Sequence, residues 1–156
     1  MKNGVIVRSG NCEIGYGVKD DSHMGKFWYM DIREFLEDHD YIVIDRIFTA
    51  KESRNNGLAT EFLKVLCEEN NDKVIIVETG VLKDEYPEEP VGEEFTEILN
   101  KIDKFFTERG FSNFNKYSKS YEFKEAYIYT ETEQGKEVFE AIKEYYTNAN
   151  KEINNG

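Results

Sequence analysis

Two short apolar runs, residues 41–49 (YIVIDRIFT) and 73–77 (KVIIV), flank a stretch in which Leu58, Phe62, Leu63, Leu66 and Cys67 recur at helical spacing. No other part of the sequence leaves so few folds open. Runs this rich in β-branched and aromatic side chains predict strands at the centre of a sheet, buried on both faces. The periodic stretch predicts an amphipathic helix over 58–70 that opens just after Gly57. A strand, a helix and a strand in that order form a βαβ unit, expected to be parallel with a right-handed crossover.

The flanking sequence supplies simpler elements. Residues 5–8 and the alternating segment Cys12, Ile14, Tyr16, Val18 are separated by Ser9-Gly10-Asn11 and read as a hairpin. Residues 30–38 place Ile32, Phe35 and Leu36 at the spacing of one short helix. Residues 83–94 (KDEYPEEPVGEE) hold both prolines among many carboxylates and mark an excursion, read as a solvated surface loop. Phe95, Ile98, Leu99, Ile102, Phe105 and Phe106 restore helical spacing, closed by Arg109 and a Gly110 C-cap. Strands are then expected over 111–123 and 126–130, followed by a helix with Val138, Phe139, Ile142 and Tyr146 on one side. The aromatic cluster Phe139, Tyr145 and Tyr146 either packs on the sheet or makes a homodimer contact. The last residues, 148–156, read as a disordered tail.

At 156 residues and 18.3 kDa the chain suits one domain, here 1–147. Acidic residues outnumber basic ones 32 to 20, a net charge of −12 that opposes nucleic acid and favours cationic partners. No run approaches the roughly 20 apolar residues of a membrane helix, and the start lacks the apolar core of a secretory signal; a cytoplasmic protein is expected. Cys12 and Cys67 have neither CxxC spacing nor histidine neighbours, and His23 and His39 have no matching ligand set, so no metal site is expected. Cys67 reads as inert packing rather than a nucleophile.

Chemistry concentrates where the first central strand ends and the helix begins. In Arg54-Asn55-Asn56-Gly57-Leu58-Ala59 the amides that open the helix have no intrahelical acceptor, and the helix dipole adds positive charge, so a diphosphate can bind there. Gly57 admits a close approach, the asparagines tolerate turn dihedrals, and Arg54 offers a cationic fork. The same residues also suit a strand-to-helix turn that binds nothing. The segment is neither a GxGxxG fingerprint nor a Walker loop.

Arg54-x-x-Gly57-x-Ala59 after an apolar strand resembles the R/Q-x-x-G-x-G/A pyrophosphate loop of the GNAT superfamily of acyl-CoA-dependent N-acetyltransferases. Residues 104–111, KFFTERGF, resemble that family's later F-Y-E-x-x-G-F pattern. The resemblance spans roughly residues 41–123. It implies an α/β (α+β) fold with a mixed, mostly antiparallel sheet, a splayed parallel strand pair and helices on both faces. It also implies acetyl-CoA as cosubstrate, with the diphosphate on Arg54, Asn55, Asn56, Gly57, Leu58, Ala59 and Thr60. The pantetheine arm would lie beside the backbone of Ile47, Phe48 and Thr49; the pair Phe105-Phe106 reads as helix core, with Phe106 also a candidate wall of the pantetheine channel.

By the same resemblance the acceptor is a primary amine that attacks the thioester directly: a small cationic amine, or a lysine or N-terminus of a basic protein. Its proton must be removed, for which Glu78 at the end of the second strand is the first candidate and Asp45 the second. Each is equally readable as a solvated or paired strand-end side chain. Several features depart from the family pattern. Phe106 stands where the family commonly has the tyrosine that protonates the leaving thiolate, leaving Tyr117, Tyr121 or water to do so. Only 40 residues precede Tyr41, with one convincing helix among them, and residues 81–94 are longer than the family's usual connection, which makes them a candidate acceptor-side lid whose carboxylates would favour a cationic acceptor. A CoA-binding or regulatory module without turnover is the alternative function, and a protein that masks a basic partner without CoA is a further one.

Overall fold

In the computed structural model the described residues are 5–9, 12–18, 32, 34–49, 57–80, 93–118 and 124–155. They form β1 (Val5–Ser9), β2 (Cys12–Val18), β3 (Tyr41–Thr49), α1 (Leu58–Glu69) and β4 (Val74–Gly80). Then come α2 (Glu93–Thr107), β5 (Phe111–Asn113), the single turn α3 (Asn115–Ser118), β6 (Lys124–Tyr129) and α4 (Glu133–Asn155). The six strands make one mixed sheet in the order β1-β2-β3-β4-β6-β5. Only β3 and β4 run parallel; every other neighbour is antiparallel.

The apolar runs of β3 and β4 divide their side chains between two cores. Tyr41, Val43, Val74 and Ile76 point to one face, where Ile32, Leu36, Phe114 and the α4 residues Val138 and Ile142 cover them. Ile42, Ile44, Ile75 and Val77 point to the other, under Leu63, Leu66 and Cys67 of α1 and Phe106 of α2. Burial on both faces is what two nearly unbroken apolar runs require, at about 1.5–3 kcal/mol for each large side chain removed from water. Phe139 and Tyr146 pack against the first core, so that part of the aromatic cluster serves the sheet. Tyr145, 58% exposed, meets Phe35 edge-on at 5.7 Å.

Three expectations are corrected. The strand expected over 111–123 stops at Asn113, because the Asn113 Oδ1 accepts from the Lys116 N–H at 3.3 Å and turns the chain into α3. Tyr117 therefore sits in α3 with its ring 6.1 Å from Phe139, not in a strand. The short helix expected over 30–38 is a 3₁₀ turn at 34–36, with Ile32 and Leu36 buried as the spacing implied. Residues 148–155, read as a disordered tail, continue α4 through Asn155. No glycine or proline lies between Gly135 and Gly156, so extending an existing helix costs little.

The loop residues Arg54, Asn55 and Asn56, the excursion as far as residue 92, Tyr121 and His23 lie outside the described residues. Glu93 and Glu94, counted with the excursion in the sequence, begin α2.

Candidate functional site

The β3–β4 ladder runs from Tyr41–Val74 to Ile44–Val77 and stops, although β3 continues to Thr49 and β4 to Gly80. Beyond that point each strand pairs only with its outer neighbour. Ile47, Phe48 and Thr49 pair with Ile14, Glu13 and Cys12 of β2, while Glu78, Thr79 and Gly80 pair with Ala126, Glu125 and Lys124 of β6. Among the described residues, nothing pairs with the inner edges of these two strand ends. This end of the ladder forms a wedge between two strand ends whose inner edges carry main-chain donors and acceptors with no strand partner among the described residues, and such groups recruit an extended partner.

The register explains why the wedge opens where it does. Tyr16 opposes Ile44, yet Gly15 opposes Arg46, so Asp45 is an extra residue with no partner across on β2. A bulge of this kind bends its strand and increases the local twist. β3 leaves β4 at the residue where it bulges. Asp45 and Glu78, the two candidate bases, are each the first residue past the last ladder pair, one on either arm of the wedge.

β3 leads toward the N-terminus of α1. Gly57 caps that helix in the left-handed region, at φ 81° and ψ 5°, and makes no side-chain cap hydrogen bond, since it has no side chain to do so. The Glu61 N–H donates to the Gly57 carbonyl at 3.0 Å, which leaves the amides of Leu58, Ala59 and Thr60 ahead of the first intrahelical bond. A Cβ built on Gly57 meets nothing within 4 Å, so backbone conformation, not crowding, requires glycine there.

Arg109, which follows α2, reaches this same turn. Its Nε and Nη2 donate to Thr60 Oγ1 at 2.9 and 2.8 Å, and its Nη1 donates to the Phe105 carbonyl at 2.6 Å. The guanidinium lies 3.8 Å from the Phe105 ring centroid, a cation–π stack, and Glu108 approaches Nη1 at only 3.9 Å. The turn that delivers it is closed by Gly110, at φ 90°. Sequence reasoning placed a basic residue here but treated it as a helix-end charge. Its partner lies 49 positions away, and no local signal joins the two.

Phe106 is only 4% exposed and packs with Phe105, Phe111 and Tyr127 at ring distances of 5.1, 5.6 and 5.0 Å. It belongs to the core beneath α2. A second polar group missed in the sequence lies nearby: Asp103 Oδ1 accepts from Tyr127 Oη and Asn113 Nδ2, both at 3.2 Å, which satisfies polar atoms under the same helix. Cys67 is buried, and that burial, assisted by Glu68, pushes its thiol up to about 12. It is a protonated packing group at neutral pH. Burial likewise raises Tyr129 above the usual phenol range, with smaller contributions from Cys67, Glu131 and Glu68. Among the described residues, no group of three or more His, Cys, Asp or Glu side chains could hold a metal ion, and no helix is long and apolar enough to cross a membrane.

No protein-family model matches the chain, and no curated protein matches it.

Proposed function

We propose that this chain is an acyltransferase of the GNAT type, transferring an acetyl group from acetyl-CoA to a primary amine. The observation that carries the reading is the wedge: a parallel ladder that ends at a bulge, together with a helix whose first amides have no acceptor in the helix. A pantetheine arm is an extended chain with two amides, and it matches an opening bordered by unpaired strand edges. A diphosphate matches the first turn of α1, where Gly57 is exposed and amides and helix dipole favour negative charge. Of the residues expected from the sequence to hold the nucleotide, Gly57, Leu58, Ala59 and Thr60 lie in that turn, while Arg54, Asn55 and Asn56 lie outside the described residues. Those expected to hold the arm, Ile47, Phe48 and Thr49, lie in the part of β3 beyond its ladder with β4.

In this reading the acceptor nitrogen attacks the thioester carbonyl, the carbon–sulfur bond breaks, and CoA leaves as a thiolate that takes up a proton. The amine must reach the carbonyl neutral, so a carboxylate at the vertex of the wedge, Glu78 first and Asp45 second, accepts its proton directly or through water. The net charge of −12 favours a cationic acceptor, a small amine or a lysine or N-terminus on a basic protein, and disfavours nucleic acid. The proposed setting is the cytoplasm.

Phe106 favours a second reading, a CoA-binding module without turnover. A phenyl ring in the aromatic core has no proton to give the thiolate, and Tyr117 stands against α4. Water remains a sufficient donor because a thiolate with a pKa of about 8.5 leaves readily. Two measurements separate the readings. Acetyl-CoA at 100 times its Kd should stabilise the protein by about 2.7 kcal/mol, and a panel of amines should then release free thiol. Stabilisation without thiol release for any amine supports the silent module, and no stabilisation rejects both.

A further inference from the structure

The bonds at Thr60 carry more than a tie between two helices. A threonine hydroxyl has two lone pairs and one hydrogen. Arg109 Nε and Nη2 occupy the acceptor side of Thr60 Oγ1, at 2.9 and 2.8 Å. The hydrogen is left to donate, and among the described residues Thr60 has no acceptor for it. A hydroxyl early in a helix ordinarily rotates among acceptors, including the carbonyl one turn back. Here the two accepted bonds turn the hydrogen away from the guanidinium.

Arg109 is itself held. The Phe105 carbonyl takes Nη1 at 2.6 Å, the Phe105 ring lies 3.8 Å below the guanidinium, and the side chain is only 26% exposed. The C-terminus of α2 favours this cation, but the N-terminus of α1, beside Thr60, opposes it with the positive end of its own dipole. Glu108, at 3.9 Å and more than half exposed, offsets little of that charge. An anion at the first turn of α1 relieves the mismatch.

We propose that Arg109 is a positioning residue for the nucleotide end of the cosubstrate: it saturates the acceptor side of Thr60 so that the hydroxyl donates outward to a diphosphate oxygen. The inference rests on the function proposed above and assigns it a residue from outside the glycine loop. Arg109 acts through Thr60, so the two form one unit, and their contribution is confined to the diphosphate. The pantetheine half of the ligand, lying along β3, does not sense it.

The test compares two probes, CoA and pantetheine, the second lacking the diphosphate. Affinities are measured by calorimetry for CoA and by ligand-observed NMR for pantetheine, on wild type, Arg109→Gln, Thr60→Val, Thr60→Ser and the Arg109→Gln/Thr60→Val double variant. The expected result is a loss of about tenfold for CoA in Arg109→Gln and in Thr60→Val, with no further loss in the double variant. Thr60→Ser keeps wild-type affinity, and pantetheine binds all five proteins alike. Thr60→Val preserves side-chain shape, so it decides the matter even if loss of the Arg109 stack impairs folding. Equal losses for both probes, additive losses, or no loss in Thr60→Val overturn the role of Arg109 and leave the proposed function standing. A wild-type protein that binds neither probe overturns the proposed function, and this inference with it.

Discussion

Gly57 and Cys67 show how single positions take opposite roles in one helix. At Gly57 the chain adopts a left-handed conformation with open space around the missing Cβ. Gly57→Ala is therefore expected to cost about 1–2 kcal/mol, the price of that conformation for an L-residue, with no clash added. Chemical denaturation measures it, and Gly57→Asn should cost less. Cys67 is held protonated by burial, which raises its thiol from 9.0 to about 12. The raised value means that the folded state retains a proton the unfolded state gives up. This contribution to stability is complete below pH 9 and is lost as pH rises toward 12. The difference in unfolding free energy between wild type and Cys67→Ala should accordingly shrink across that window. At pH 8 the thiol should resist alkylation until denaturant is added.

The wedge is a property of elements, and its cause is a single extra residue. Deleting Asp45 would bring Ile44 and Ile47 to the two-residue spacing of their partners Tyr16 and Ile14, giving β2 and β3 a continuous ladder. The deletion is expected to preserve the fold by circular dichroism while lowering CoA affinity at least tenfold, because β3 no longer bends from β4. Asp45→Ala keeps the bulge and should keep the affinity. Phe106 makes a complementary case. Phe106→Ala should cost about 3–5 kcal/mol as a core truncation. Phe106→Tyr, which forces a hydroxyl into the aromatic cluster, should destabilise by about 1–3 kcal/mol if the group stays unpaired, without speeding thiol release.

Legibility at this scale followed the range of the interactions. β3 was readable to both ends because its apolar run is a local pattern, and so was the Gly110 cap. The stop at Asn113 depends on a side chain choosing a local turn over ladder bonds, and the strand propensity of Phe111 and Phe114 hides it. The bulge at Asp45 was not legible, since it exists only in the register between β3 and a hairpin strand that precedes it by more than twenty residues. The Arg109–Thr60 contact escaped for the same reason.

Across the whole molecule, the sheet divides labour between its faces and its centre. Two cores, one under α1 and α2 and one under α4 with Ile32, Leu36 and Phe114, bury the paired half of β3 and β4 on both faces, so the fold does not depend on pairing in the other half. The central claim is that this divergence, with the first turn of α1, accommodates an acyl-CoA. A titration of the protein with CoA followed by amide-resolved NMR tests it most directly. The account predicts saturable shifts at the amides of residues 58–60, 45–49 and 78–80, with the amides of β1, β5 and α4 unmoved. A full titration that leaves the residues of the wedge and of the first turn unperturbed would contradict it.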